Sequence, residues 1–164
     1  MKCIRLLVPT VALILALLPV TAFASTNYNE AVSGIETGFP YSTEACPAPD
    51  SVSPFAGLAN GTLDGTFMIA VCHTQLNTSA EILGGSFVLI SSTKTVIGQF
   101  APGGTVSLVG ESVSDGTCTQ TYAVKGGLLT EGKFSGTLVH YGLWTGGSCS
   151  IFFATISGRA QLRM

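Results

Sequence analysis

The stretch CTQTYAVKGGLLTEGKFSGTLVHYGLWTGGSCSIFFATISGRAQL, Cys118 to Leu162, decides the fold. From Phe152 onward every second residue is apolar or small (Phe152, Ala154, Ile156, Gly158, Ala160, Leu162), with Thr155, Ser157, Arg159, Gln161 and Arg163 between them. A period of two is that of a strand with one buried face. The preceding run has a matching face of Phe134, Gly136, Leu138, His140, Gly142 and Trp144. A three-residue loop at Thr145-Gly146-Gly147 would join the two runs with both apolar faces on one side, pairing Trp144 with Ser148, Leu138 with Ala154 and Phe134 with Gly158. This register predicts that His140 faces the interior beside Phe152.

Upstream of this hairpin the same character continues. The runs in NGTLDGTFMIAVCHTQ and GGSFVLISS are rich in β-branched and aromatic residues and begin at turn residues. TVIGQF and TVSLVGESV flank Ala101-Pro102-Gly103-Gly104, which reads as a hairpin loop. Residues 61–164 therefore hold seven or eight strands joined by short Gly-rich links, with no helical run long enough for a crossover. Such a meander predicts an all-β domain, a small antiparallel β-barrel of about eight strands, with a β-sandwich as the alternative.

The segment 25–60 differs. Pro40, Pro47, Pro49 and Pro54 argue against a central strand, so it is expected to be irregular, with a short helix within 27–35 or 50–58, and to pack on the domain through Tyr28, Phe39, Tyr41 and Phe55. Residues 1–24, MKCIRLLVPTVALILALLPVTAFA, have a basic start, an apolar run and an Ala-Phe-Ala end, the pattern of a secretory signal peptide. The expected location is extracellular or periplasmic. Loss of Lys2 and Arg5 with the signal would take the formal charge from −2 to about −4. The remaining basic residues are scattered, which argues against nucleic acid as a partner.

Cys46, Cys72, Cys118 and Cys149 remain after the signal, an even number suited to two disulfides. Three connectivities exist; Cys46 with Cys72 and Cys118 with Cys149 is the favoured one. No Cys/His spacing suggests a metal site, and no cofactor fingerprint is present.

The segment Tyr122-Ala123-Val124-Lys125-Gly126-Gly127, followed by Gly132-x-Phe134-Ser135-Gly136, resembles the strand, Gly-Gly turn and strand pattern of the allene oxide cyclase and dirigent barrel group. That resemblance implies chiefly an eight-stranded barrel around an apolar cavity; the group's acidic catalytic positions have no counterpart in this sequence.

Few side chains are candidates for chemistry. His140 shares its face with Phe134, Leu138 and Trp144, so it reads either as a ligand-binding or proton-transfer group or as a histidine hydrogen-bonded in the interior. A shared site with His73 requires their strands to be adjacent or to face each other across the lumen. The candidate ligand-binding set is His140, Trp144, Phe134, Leu138 and Phe152, with no catalytic residue assigned. The expected function is non-catalytic: binding a small apolar molecule in the barrel, or an extracellular protein through the hairpin loops. The alternatives are a cofactor-free isomerase, cyclase or dirigent-like enzyme acting in the lumen, and an extracellular structural or interaction module with a filled interior.

Overall fold

The computed structural model describes residues 26–38, Cys46, 51–129 and 131–163. The expected signal segment 1–24 lies outside these. The described residues form nine strands: β1 (Asn27–Glu36), β2 (Ser51–Gly61), β3 (Gly65–His73), β4 (Ser79–Ser91), β5 (Thr95–Gln99), β6 (Gly104–Ser114), β7 (Thr117–Leu128), β8 (Gly132–Thr145) and β9 (Ser148–Arg163). They make one antiparallel sheet in the order β3-β2-β1-β9-β8-β7-β6-β4-β5, and pairing of β3 with β4 closes it into a ring. The fold is thus all-β, with each strand beside its sequence neighbour except β5 and β6, which both pair with β4, and with the last strand beside the first.

Three expectations change. The segment 25–60 is not irregular where it is described: it supplies β1 and β2, and no helix occurs in residues 27–35 or 51–58. Pro54 is tolerated in β2 because its carbonyl, which accepts from Thr37 N at 2.8 Å, and its absent N–H both face β1, whose paired residues end at Glu36. Second, Ala101–Gly104 is no hairpin loop. β5 and β6 both run antiparallel to β4, β5 opposite Ser86–Ile90 and β6 opposite Ser79–Ile82, so they are two halves of one interrupted strand. Counted this way, the ring has eight members.

Third, the loop between β8 and β9 has two residues. Thr145 pairs with Ser148, and Gly146 and Gly147 have φ of 60° and 84°, the left-handed pair that a tight hairpin needs. A two-residue loop alone would have set the apolar face of one strand against the polar face of the other. A bulge between Tyr141 and Gly142 restores the phase: Tyr141 pairs with Phe153 and Gly142 with Ile151, leaving Phe152 unpaired. Beyond it, His140 pairs with Ala154, Leu138 with Ile156 and Phe134 with Ala160. The apolar faces agree as the alternation requires, while the partners move by two residues.

The core is inside the ring, where Phe55, Phe67, Phe87, Phe100, Tyr122 and Phe134 are buried with Ile82, Leu89, Leu138 and Ile156. Phenylalanine rings lie on glycines: a Cβ on Gly136 or Gly158 would stand 2.9 Å from Phe134 Cζ, one on Gly34 would stand 2.7 Å from Phe67 Cζ, and one on Gly98 would meet the Phe87 ring. At the end of the ring holding Tyr28, Glu30 is buried, and its Oε1 accepts from Leu63 N at 2.9 Å in the β2–β3 turn. Lys94 Nζ donates to Tyr28 Oη at 2.8 Å beside it.

Two disulfides join Cys46 to Cys72 and Cys118 to Cys149, the favoured pairing. Intrachain disulfides suit maturation in an oxidising compartment.

Gly158→Ala is expected to lower stability to unfolding by about 1–3 kcal/mol, since the Phe134 ring and the facing backbone leave no room for a methyl group. Gly110→Ala, where an added Cβ meets nothing within 4 Å, is expected to change it by less than about 0.5 kcal/mol. Denaturant midpoints of the two variants test this packing; equal midpoints would contradict it.

Candidate functional site

Strand alternation carries a set of polar groups to one end of the interior. Glu36 ends β1, Ser53 lies near the start of β2 and His73 ends β3, each in phase with the buried face of its strand. Opposite them, β7 presents Tyr122 and β8 presents His140, whose rings lie 5.1 Å apart. His73 is buried and fully hydrogen-bonded. Its Nδ1 lies 2.7 Å from Thr74 O, and its Nε2 lies 3.0 Å from Ser53 Oγ. A carbonyl can only accept, so Nδ1 carries the proton of the neutral ring, and Nε2 accepts from the Ser53 hydroxyl.

Ser53 also bonds the Glu36 carboxyl. Burial raises Glu36 above the ordinary carboxylate value, against the opposing pull of the Ser53 hydrogen bond and the His73 charge. Burial likewise lowers His140, and the neighbouring His73 lowers it further. Tyr122 is raised by burial, with a smaller contribution from Glu111; its hydroxyl donates towards Asn77 O and Gln120 Oε1, each at 3.0 Å. Thus the two histidines do share one end of the ring, and His140 senses the charge of His73.

Behind this polar end the interior is nearly full. One cavity of about 30 Å³ adjoins Ser53 and His73 and is walled by Phe55, Val71, Leu138 and Ile156. A second, of about 40 Å³, lies deeper between Phe67, Phe87, Phe100, Phe134 and Ile156. Both are far below the several hundred Å³ of an ordinary small-molecule pocket.

The candidate ligand set is divided by this arrangement. Phe134 and Leu138 wall the two cavities, and His140 sits half-buried at the polar end. Trp144 and Phe152 do not join them: both are exposed, Phe152 at 69%. The reason is that the ring ends before these residues. β9 pairs with β1 only as far as Thr155, and β6 pairs with β4 only as far as Ser107. Past these points β6, β7, β8 and β9 continue as a four-stranded arm outside the ring, exposed along most of its length.

The arm carries Tyr141, Leu143, Trp144, Ile151, Phe152 and Phe153, all exposed, and Tyr141 packs on Phe153 with ring centroids 5.7 Å apart. Between Phe134 and Gly158 the chain has no Asp, Glu, Lys or Arg. The Cys118–Cys149 disulfide crosses the arm over Gly142, where a Cβ would lie 2.8 and 3.0 Å from the two sulfur atoms.

Comparison with protein-family models, with curated proteins and with solved structures found no match. Among the described residues no group of three His, Cys, Asp or Glu could hold a metal ion.

Glu36 and Ser53 did not stand out in the sequence, because the segment around them was not read as strands. The Tyr28, Glu30, Val32, Gly34, Glu36 alternation is the signal that locates Glu36 on an inner face.

Acid stability tests the lowered His140. A group held below its ordinary value of 6.5 takes its proton first in the unfolded chain, so its contribution is intact above 6.5 and is lost as pH falls through that value. The raised Glu36 has the opposite sign: its contribution is present below its ordinary 4.5 and is lost as pH rises through its higher folded value. His140→Gln is therefore expected to flatten the fall in melting temperature between about pH 7.5 and 5.5. Parallel wild-type and variant curves across that window would contradict a burial-lowered His140.

Proposed function

We propose that this is a secreted interaction module that works from its outer surface, and that its arm docks against a second copy of the same chain. The observation that carries the reading is the aromatic β8–β9 half of the arm, which has no Asp, Glu, Lys or Arg and stands outside a nearly filled ring. A contiguous exposed apolar patch of this kind marks an interaction surface, and aromatic enrichment with few charges is the composition of interface cores. The disulfide holds the arm in shape before contact, which lowers the ordering cost of association.

The charge distribution favours a second copy as occupant. The mature chain is acidic, and two like-charged copies meet with least repulsion where neither carries charge. An apolar surface is also self-complementary across a two-fold axis. The small cavities weigh against a ligand in the lumen, and with it against a cyclase or dirigent-like role there.

Sedimentation of the mature, oxidised protein is expected to show a dimer at micromolar concentration. Phe152→Ser with Leu143→Ser should weaken association by about tenfold or more without shifting the unfolding midpoint, because both side chains are exposed. A wild type that stays monomeric at hundreds of micromolar, or a double variant that still dimerises, would overturn the reading. Arm-dependent binding of a monomer to phosphatidylcholine vesicles would assign the arm to lipid instead.

A further inference from the structure

The polar end of the ring plays no part in docking through the arm, yet its geometry is that of an activated hydroxyl. Ser53 Oγ lies 3.0 Å from His73 Nε2, and His73 Nδ1 is held 2.7 Å from Thr74 O. The nucleophile, its base and the acceptor that orients the base are therefore all within hydrogen-bond reach. His73 is 8% exposed, so its ring is fixed by packing as well as by its two bonds. Ser53 is only half-buried and lines the mouth of the small cavity.

We infer that Ser53 and His73 form a nucleophilic dyad that accepts short acyl groups from esters, with the backbone carbonyl of Thr74 orienting the imidazole. The class of acyl group follows from the space beside Ser53. The cavity of about 30 Å³ is walled by Phe55, Val71, Leu138 and Ile156. Since a water-sized group takes about 10–15 Å³ by this measure, it fits an acyl chain of about two carbons and rejects longer ones.

The chemistry balances on these groups. Ser53 Oγ attacks the ester carbonyl carbon as its proton passes to His73 Nε2. The ester C–O bond then breaks, and the leaving alkoxide takes that proton and departs as the alcohol. Water attacks the acyl-Ser53 carbonyl, giving a proton to His73. The acyl–Oγ bond breaks, Oγ recovers the proton, and the short carboxylic acid is released.

The test is active-site labelling of the mature, disulfide-intact protein with a small alkyl fluorophosphonate, followed by mass-spectrometric mapping. A single adduct on Ser53 is expected, forming on the order of 100-fold faster than on any other serine and not forming when the protein is reduced and denatured before labelling. With p-nitrophenyl acetate, a burst of one p-nitrophenol per chain and an acetyl adduct on Ser53 are expected, whereas the octanoate ester should give neither. His73→Gln should cut Ser53 labelling by about 100-fold with an unchanged unfolding midpoint. Absence of an adduct on Ser53 in the wild type, or labelling no faster than at exposed serines, would overturn the site without reference to any variant. Wild-type labelling in folded His73→Gln would remove the base from the proposal and overturn the dyad.

Discussion

The phenylalanine rings laid on glycines are the contact on which the closed sheet depends. A ring of eight strands has a narrow interior, and seven large aromatic side chains are buried in this one. They fit because their neighbours on the inner faces lack side chains: Gly136 and Gly158 under Phe134, Gly34 under Phe67, and Gly98 under Phe87. Each such pair lets a strand approach a ring at a distance that a Cβ would forbid. The arrangement buries large apolar areas at about 25 cal/mol per Å² and consumes the lumen in doing so. What remains are cavities of about 40 and 30 Å³. An interior filled for stability leaves chemistry to the ends of the ring and recognition to whatever stands outside it.

Alternation made the faces legible in the sequence but not the register. Phe134 and Leu138 do share an inner face with Ala154, Ile156 and Ala160, as the period of two requires, yet their partners differ by two residues from those that a three-residue loop would give. A tight Gly-Gly turn combined with a bulge at Phe152 has the same parity as a longer loop, so hydrophobic pattern alone does not separate them. The in-line break between β5 and β6 was concealed in a similar way. Pro102 and Gly103 between two strand-like runs are turn chemistry, and only the shared pairing with β4 shows that the chain does not reverse there. The N-terminal strands were hidden by proline. Four prolines argue against a sheet member, but Pro54 is harmless where its missing donor faces the end of β1, and Pro40, Pro47 and Pro49 lie outside the described residues.

The same causes limited what could be read of the site. His140 was visible because it sits in the clearest strand of the chain, and its face was assigned correctly. Ser53 and Glu36 belong to β2 and β1, so without those strands nothing connected them to His73. Trp144 and Phe152 failed to join Phe134 for another reason. Alternation says which face a side chain occupies, but not where the ring stops, and ring closure ends at the Thr155–Ile35 pair. Beyond that pair the inner face opens progressively, from the buried Ala154 to the exposed Phe152 and Trp144.

The molecule therefore has two parts held together by different forces. The ring is secured by its packed core and closed ladder. The arm has strand pairing but almost nothing buried, and four strands exposed on both faces are poorly secured by pairing alone. Its cross-link compensates: Cys118 on β7 and Cys149 on β9 are bridged over β8 at Gly142, with Cα atoms 5.8 Å apart. Closing a loop of this length is worth about 3–4 kcal/mol through the unfolded chain. That contribution secures apolar side chains in positions where they cannot reach the core, so the hydrophobic effect that would ordinarily fold them inward is left available for a partner.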